Sequence, residues 1–226
     1  MIFFETLLIC EFSIMRKIRN SILVLYLFSF SVFSQESDLQ VWSSVSLNYK
    51  ASKKVNLYLK QGIRFRENSS LLSKSYTDLK IKYKYNKRIS LLIGLRDIHE
   101  WNQQLERDHL FRYYSDLVVK KKINRFWFAS RKRFQRQGNY NEFANTFRQQ
   151  LLLNYNIRKT KLEPEFAFEY FLRDLQMINK IRYTLGVSYP IFKNTDFNFS
   201  YRIQKELQVE DPYTLFILLA KLSYDI

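Results

Sequence analysis

One cysteine, four glycines, three prolines and two histidines are spread over 226 residues. Cys10 stands alone, so no disulfide framework can staple the fold. Residues that cap or break helices are scarce, while β-formers abound, which favours strands over helices. The longest apolar run, Ile22 to Phe33, is well short of the roughly 20 residues that span a bilayer as a helix. Neither G-x-S-x-G nor H-E-x-x-H occurs, which removes the two most legible hydrolase signatures. Acidic residues are also in short supply, 21 against 37 Lys and Arg, for a formal charge of +16. Such a balance points to an anionic membrane surface or to nucleic acid.

What is abundant is aromatic. Phe (20) and Tyr (16) dominate a 17% aromatic share, and the 46% hydrophobic share is interleaved with charge instead of being clustered.

Met15-Arg16-Lys17-Ile18-Arg19 is a positively charged opening. The apolar run follows, and Val32-Phe33-Ser34 then Gln35 offers small residues for cleavage. This is the layout of a secretory signal peptide over residues 1–34, with 1–14 read as an over-extended start. Cys10 lies upstream of the cleavage point, and Leu7-Leu8-Ile9-Cys10 lacks the small residue and the basic segment of a lipoprotein box. The leader carries three basic residues (Arg16, Lys17, Arg19) and two acidic ones (Glu5, Glu11), so one unit of the +16 goes with it and +15 remains. Residues 35–226 form a single β-domain, and an exported basic domain is not expected to meet nucleic acid.

Beyond Gln35 the dominant signal is period two. Val55, Leu57, Leu59, Ile63 and Phe65 alternate with Asn56, Tyr58, Lys60, Gly62, Arg64 and Arg66. Leu79, Ile81, Tyr83 and Tyr85 alternate with Asp78, Lys80, Lys82 and Lys84, and the pattern recurs near residues 89–96, 147–155, 165–170, 181–189 and 197–204. The segments have the length of tilted membrane strands, and aromatics such as Phe65, Tyr85, Tyr155, Tyr170 and Tyr189 sit near their ends, as interfacial girdles do. The fold expected is an all-β, antiparallel up-and-down transmembrane barrel of 10–12 strands. Eleven candidate segments can be read, from Val41 to Tyr224. Bacterial single-chain barrels have even counts, so either Val41–Tyr49 is not an ordinary wall strand or the count of eleven is wrong. Short basic connections (Lys50–Lys54, Lys84–Arg88, Lys120–Arg125, Arg158–Lys161, Lys193-Asn194) alternate with polar or acidic ones expected to be longer (Glu67–Ser70, Glu100–Asp108, Gln137–Glu142, Arg173-Asp174, Glu206–Asp211). That places much of the excess positive charge at one rim, within reach of anionic lipid head groups.

Several spaced motifs carry a resemblance. They are Trp42, Gly62-Ile63-Arg64, Gly94-Leu95-Arg96, Arg112-Tyr113-Tyr114-Ser115-Asp116-Leu117, Arg131-Lys132-Arg133-Phe134-Gln135, Arg148, Pro164-Glu165-Phe166-Ala167-Phe168-Glu169, Arg182-Tyr183-Thr184-Leu185-Gly186 and Tyr201. On these the mature chain resembles a domain-of-unknown-function family of exported outer-membrane β-barrels of Gram-negative bacteria. The resemblance implies an outer-membrane location and assembly by the barrel-assembly machinery; it implies no activity. The chain end, Leu222-Ser223-Tyr224-Asp225-Ile226, departs from such barrels in placing its aromatic two residues early.

If the apolar faces meet lipid, the opposite faces line the barrel. The expected lumen network is Arg64, Arg96, Arg112, Asp116, Arg131, Arg133, Arg148, Glu165, Glu169, Arg182 and Arg202. It reads either as a cross-linked polar plug or as the lining of a narrow, weakly anion-selective pore for a small anionic solute. Gly62, Gly94 and Gly186 fall on the same face, where each makes room for a neighbouring Arg or aromatic. No cofactor and no metal is expected. The different-class alternative is a barrel-embedded hydrolase with an outer-rim site drawn from His99, His109, Glu100, Asp108 and Ser115. A soluble periplasmic basic β-protein is the third reading. A nucleic-acid module is disfavoured because aromatics and basic residues alternate onto opposite faces instead of sharing one.

Overall fold

The structure is a computed structural model and describes residues 37–102, 104–140, 142–209 and 212–226. The expected leader, 1–34, lies outside the described residues. Eleven strands follow one another: β1 (Ser37–Tyr49), β2 (Val55–Arg66), β3 (Leu71–Lys84), β4 (Ile89–Trp101), β5 (Arg107–Ile123), β6 (Phe126–Gly138), β7 (Phe143–Tyr155), β8 (Glu163–Arg173), β9 (Met177–Phe192), β10 (Thr195–Glu206) and β11 (Thr214–Asp225).

Each strand pairs antiparallel with its sequence neighbours, and β1 closes the barrel against β11 in parallel, from Ser37↔Thr214 to Asn48↔Asp225. The expectation of an antiparallel barrel therefore holds at every junction but this one. The cause is parity. Strands that alternate up and down return to their starting direction at every odd position, so a first and an eleventh strand can meet only in parallel. Val41–Tyr49, one of the two points that the even-count rule put in doubt, is the body of β1 and pairs on both sides, and the count of eleven stands.

The connections at 50–54, 85–88, 124–125, 156–162 and 193–194 lie at one rim; those that follow β2, β4, β6, β8 and β10 lie at the other. Length does not separate the two sets cleanly, since 156–162 is among the longer connections and 174–176 among the shorter. Asn124 and Asn194 supply the left-handed backbone (φ 53° and 62°) that the two-residue turns require. A hydrogen-bonded row starting at Thr214 runs through Lys205, Ile181, Tyr170, Gln149, Lys132, Leu117, Leu91 and Tyr83 to Val55. Val55 falls opposite position 51, because Leu57 pairs Tyr49, whereas Thr214 pairs Ser37. The sheet therefore closes with a stagger of about 14 residues, consistent with strands tilted by about 40°.

Burial is inverted relative to a water-soluble protein. Ile93 and Leu185 are more than 60% exposed, and Leu79 and Leu151 are at least half exposed. Glu169 is fully buried, and Asp116, Asp78 and Arg133 are nearly so. Among the described residues the buried set holds nine apolar and ten polar or charged residues, far more polar than the core of a water-soluble protein.

Candidate functional site: the barrel lumen

The inner faces bring acids and bases together by simple register. Asp78 stands directly opposite Arg96, Asp116 opposite Arg133, Glu169 opposite Arg182, and Thr184 opposite Arg202. Arg96 donates from Nη2 to Asp78 Oδ2 at 2.8 Å. Arg133 grips Asp116 with two parallel bonds, Nε to Oδ1 at 2.6 Å and Nη2 to Oδ2 at 2.8 Å, the fork geometry that makes arginine–carboxylate pairs strong. Arg202 Nε donates to Thr184 Oγ1 at 2.9 Å, Arg182 Nε to Gln204 Oε1 at 2.7 Å, and Arg112 Nε to Gln137 Oε1 at 2.7 Å. Glu169 is the hub on β8: its Oε1 accepts from Arg148 and from Gln150 on β7, and its Oε2 lies 3.6 Å from Arg182 Nη1 on β9.

These rungs join adjacent strands, and glycines join strands one apart. Gly94 on β4 is paired with Tyr114 on β5, and a methyl group at Gly94 would collide with the Tyr114 ring. The ring therefore lies across β4, where Tyr114 donates its hydroxyl to Asp78 Oδ1 on β3 at 2.7 Å. Gly62 accepts the Tyr76 ring in the same way. Gly186 on β9 clears space through which Ser200 on β10 donates to Glu165 Oε1 on β8 at 3.3 Å. The strands thus interlock across the gaps that glycine leaves. Cation–π stacks add to this: the Arg64 guanidinium lies 3.7 Å from the Trp42 ring centre, and that of Arg133 lies 3.8 Å from the Tyr114 ring centre.

All eleven residues expected in the lumen network sit on inward positions, ten of them on the wall of a central cavity of about 1190 Å³; Asp116 is held behind Arg133. The cavity wall carries fourteen Lys and Arg against six Asp and Glu, a formal excess of eight positive charges. Lys60, Lys80, Lys180 and Lys221 belong to this wall as well. Lys221 was missed because β11 is largely apolar and one lysine gives no period. Phe171 also points inward, below the Arg148 and Arg182 guanidinium groups.

Residues 39–212 match the model of the family described as Protein of unknown function (DUF2490). The chain belongs to that family. Among solved structures, this DUF2490 chain is similar to the β domain of the Bordetella autotransporter Brka, at 11% identity, over 74% of this chain and 82% of that one, with a TM-score of 0.46. None of the curated proteins compared with it matches.

Of the residues considered for a hydrolase, the two histidines come together and the other three do not join them. His99 and His109 face each other across β4 and β5 with stacked rings 4.7 Å apart, on the outward side of the wall. Asp97 joins them, 2.5 Å from His109 Nε2. Glu100 and Asp108 lie on the inward side, and Glu100 is engaged by Lys74 at 2.8 Å. Ser115 shares the outward side with His109 but lies six residues along β5, about 20 Å away at the rise of a strand. Asp97, His99 and His109 have the composition of a metal site, with ligand atoms within 4.8 Å of one another. Arg107 donates to His99 from both Nε and Nη2, which places a positive charge where a cation would have to sit.

Proposed function

We propose that this DUF2490 chain is an outer-membrane barrel whose lumen is a narrow, cross-linked passage that favours anions and stays closed to bulk flow. The observation that carries the reading is the inversion of burial. Leu79, Ile93, Leu151 and Leu185 are turned out along the strands, while a bidentate ion pair and a fully buried glutamate are turned in. Water would penalise the outer face, and hydrocarbon would penalise charges placed there by roughly 2–4 kcal/mol at mid-depth. Closed strands also leave no unpaired backbone edge, as a bilayer demands. The sequence supports export through the leader pattern of residues 15–35, and the basic turns support contact with anionic lipid at the periplasmic rim.

The lumen reading rests on the cross-strand network and on the excess positive charge of the cavity wall. Large open conductance is not its signature; residual current with chloride over potassium preference is. The test has two stages. Residues 35–226, expressed with the leader, are recovered from the outer membrane and run on gels unboiled and boiled, where a folded barrel migrates differently until heated. Protein in the soluble periplasm without a heat shift refutes the barrel. In planar bilayers, porin-sized steps or a cation-selective reversal potential refute the narrow anion-favouring lumen.

A further inference from the structure

Most lumen arginines are matched by an acid, an amide or a hydroxyl, and among the described residues six cations of the cavity wall are not. Arg64 is stacked on Trp42 and Lys161 is exposed at the rim, which leaves four, of which Lys80 also lies 4.7 Å from the Tyr58 ring centre. Lys60 on β2, Lys80 on β3, Arg131 on β6 and Lys221 on β11 line the cavity without an acidic partner within 4.0 Å or a hydrogen bond among the described residues. They are not scattered. Lys60 lies in the field of Lys80 and Lys221, and Arg131 lies in the field of both lysines. Arg131 Nε is buried with no hydrogen-bond partner. Four like charges from four strands, facing one space, repel one another in a polar but confined cavity. Asp78 lies in the field of Lys60 and Lys80, and Asp116 and Glu169 lie in that of Arg131, but each of these acids is already bonded to another arginine.

We infer that the lumen cavity is a binding site for a multivalent oxyanion of phosphate type, held by Lys60, Lys80, Arg131 and Lys221. Several negative oxygens on one small centre satisfy converging cations from different strands, which a single chloride cannot do. The Arg131 guanidinium supplies the planar fork that matches phosphate oxygens, and the lysines supply mobile point charges around it. Glu165, Asp196 and Asp225 act electrostatically on Lys221, so the anion is drawn towards the Lys60–Lys80–Arg131 side. The inference deepens the anion-favouring lumen proposed above and rests on the barrel reading; it does not depend on conduction.

The experiment uses the folded mature barrel in detergent, with pyrophosphate as the probe and chloride at matched ionic strength as the control. Binding is read by calorimetric titration and by ³¹P line broadening. Wild type is expected to bind pyrophosphate with Kd at or below about 1 mM, and Lys80→Met with Lys221→Met to weaken it at least tenfold. The heat shift is recorded on every sample. Wild type that shifts with heat but binds pyrophosphate no better than chloride overturns the inference while leaving the barrel intact. Wild type without a heat shift overturns the barrel itself. Folded lysine variants that bind as tightly as wild type overturn the assigned site. If the double variant fails to fold, Lys60→Gln is read in its place against the same threshold.

Discussion

Replacing Arg133 by Met tests whether the lumen network holds the barrel together. The side chains of Arg133 and Asp116 are 5% and 1% exposed and are joined by two short hydrogen bonds. Met keeps most of the aliphatic stem, so the change removes the guanidinium while disturbing packing little. Asp116 is then left as a buried carboxylate without a counter-charge, a loss of about 3–5 kcal/mol. The stack on Tyr114, centred 3.8 Å from the guanidinium, adds roughly 0.5–2 kcal/mol. A total near 5 kcal/mol lowers the folding constant by about three to four orders of magnitude.

The assay is urea unfolding of barrels folded in lipid vesicles, followed through Trp42, Trp101 and Trp127. The informative variant is the double one, Arg133→Met with Asp116→Leu, which removes both charges at once. Because exchanging a buried pair for apolar groups of similar volume is often neutral or better, the double variant is expected to recover most of the loss. If it is no more stable than Arg133→Met alone, the cost does not come from the orphaned carboxylate, and the account of the lumen as a set of ion-paired rungs is wrong.

Three further outcomes follow from the same geometry. Gly94→Ala is expected to cost about 1–3 kcal/mol through overpacking against the Tyr114 ring, and Tyr114→Ala in the same chain should relieve much of the clash; a neutral Gly94→Ala in the vesicle unfolding assay contradicts the interlock. Glu169→Gln removes the acid that, among the described residues, pairs with both Arg148 and Arg182 across β7–β9 and should lower the heat-shift midpoint more than Glu163→Gln, which acts at the exposed rim; equal midpoints argue against a hub. Lys132 is exposed on the outward face of β6, between inward Arg131 and Arg133 and near mid-strand, so Lys132→Leu should stabilise the barrel by about 1–3 kcal/mol in vesicles; a destabilised or unchanged variant speaks against hydrocarbon at that position.

The period-two pattern made the strands and their faces legible because one face meets one medium and the next face another. Leu79, Ile81 and Tyr83 against Asp78, Lys80 and Lys82 need no knowledge of the rest of the chain. What could not be read that way was the seam. Nothing local in Ser37–Tyr49 or Thr214–Asp225 tells that the two run in parallel, because alternation records which side a residue faces and not which strand lies beside it. The even-count rule then put either β1 or the count of eleven in doubt, and the structure keeps both. A count of eleven taken at face value, together with up-and-down order, would have demanded the parallel closure.

The lumen shows the same division between local and non-local information. Asp78–Arg96 and Asp116–Arg133 are hairpin partners separated by 18 and 17 residues, so the turn between their strands fixes the register and makes the pair readable in principle. Glu169 takes Arg182 from the next hairpin by direct register, but takes Arg148 diagonally, since the residue opposite Arg148 is Phe171. Whether a diagonal neighbour reaches depends on side-chain length and on strand tilt, which the sequence does not display. The unpaired set is less readable still: Lys60, Lys80, Arg131 and Lys221 lie on strands brought to one space only by closing the cylinder. The hydrolase reading failed for the complementary reason. His99, Glu100, Asp108, His109 and Ser115 are close in sequence, yet the pleat sends Glu100 and Asp108 inward and carries Ser115 along the strand, away from the histidine pair. In a barrel, nearness in sequence within a strand separates side chains, and nearness in function has to be sought across the wall.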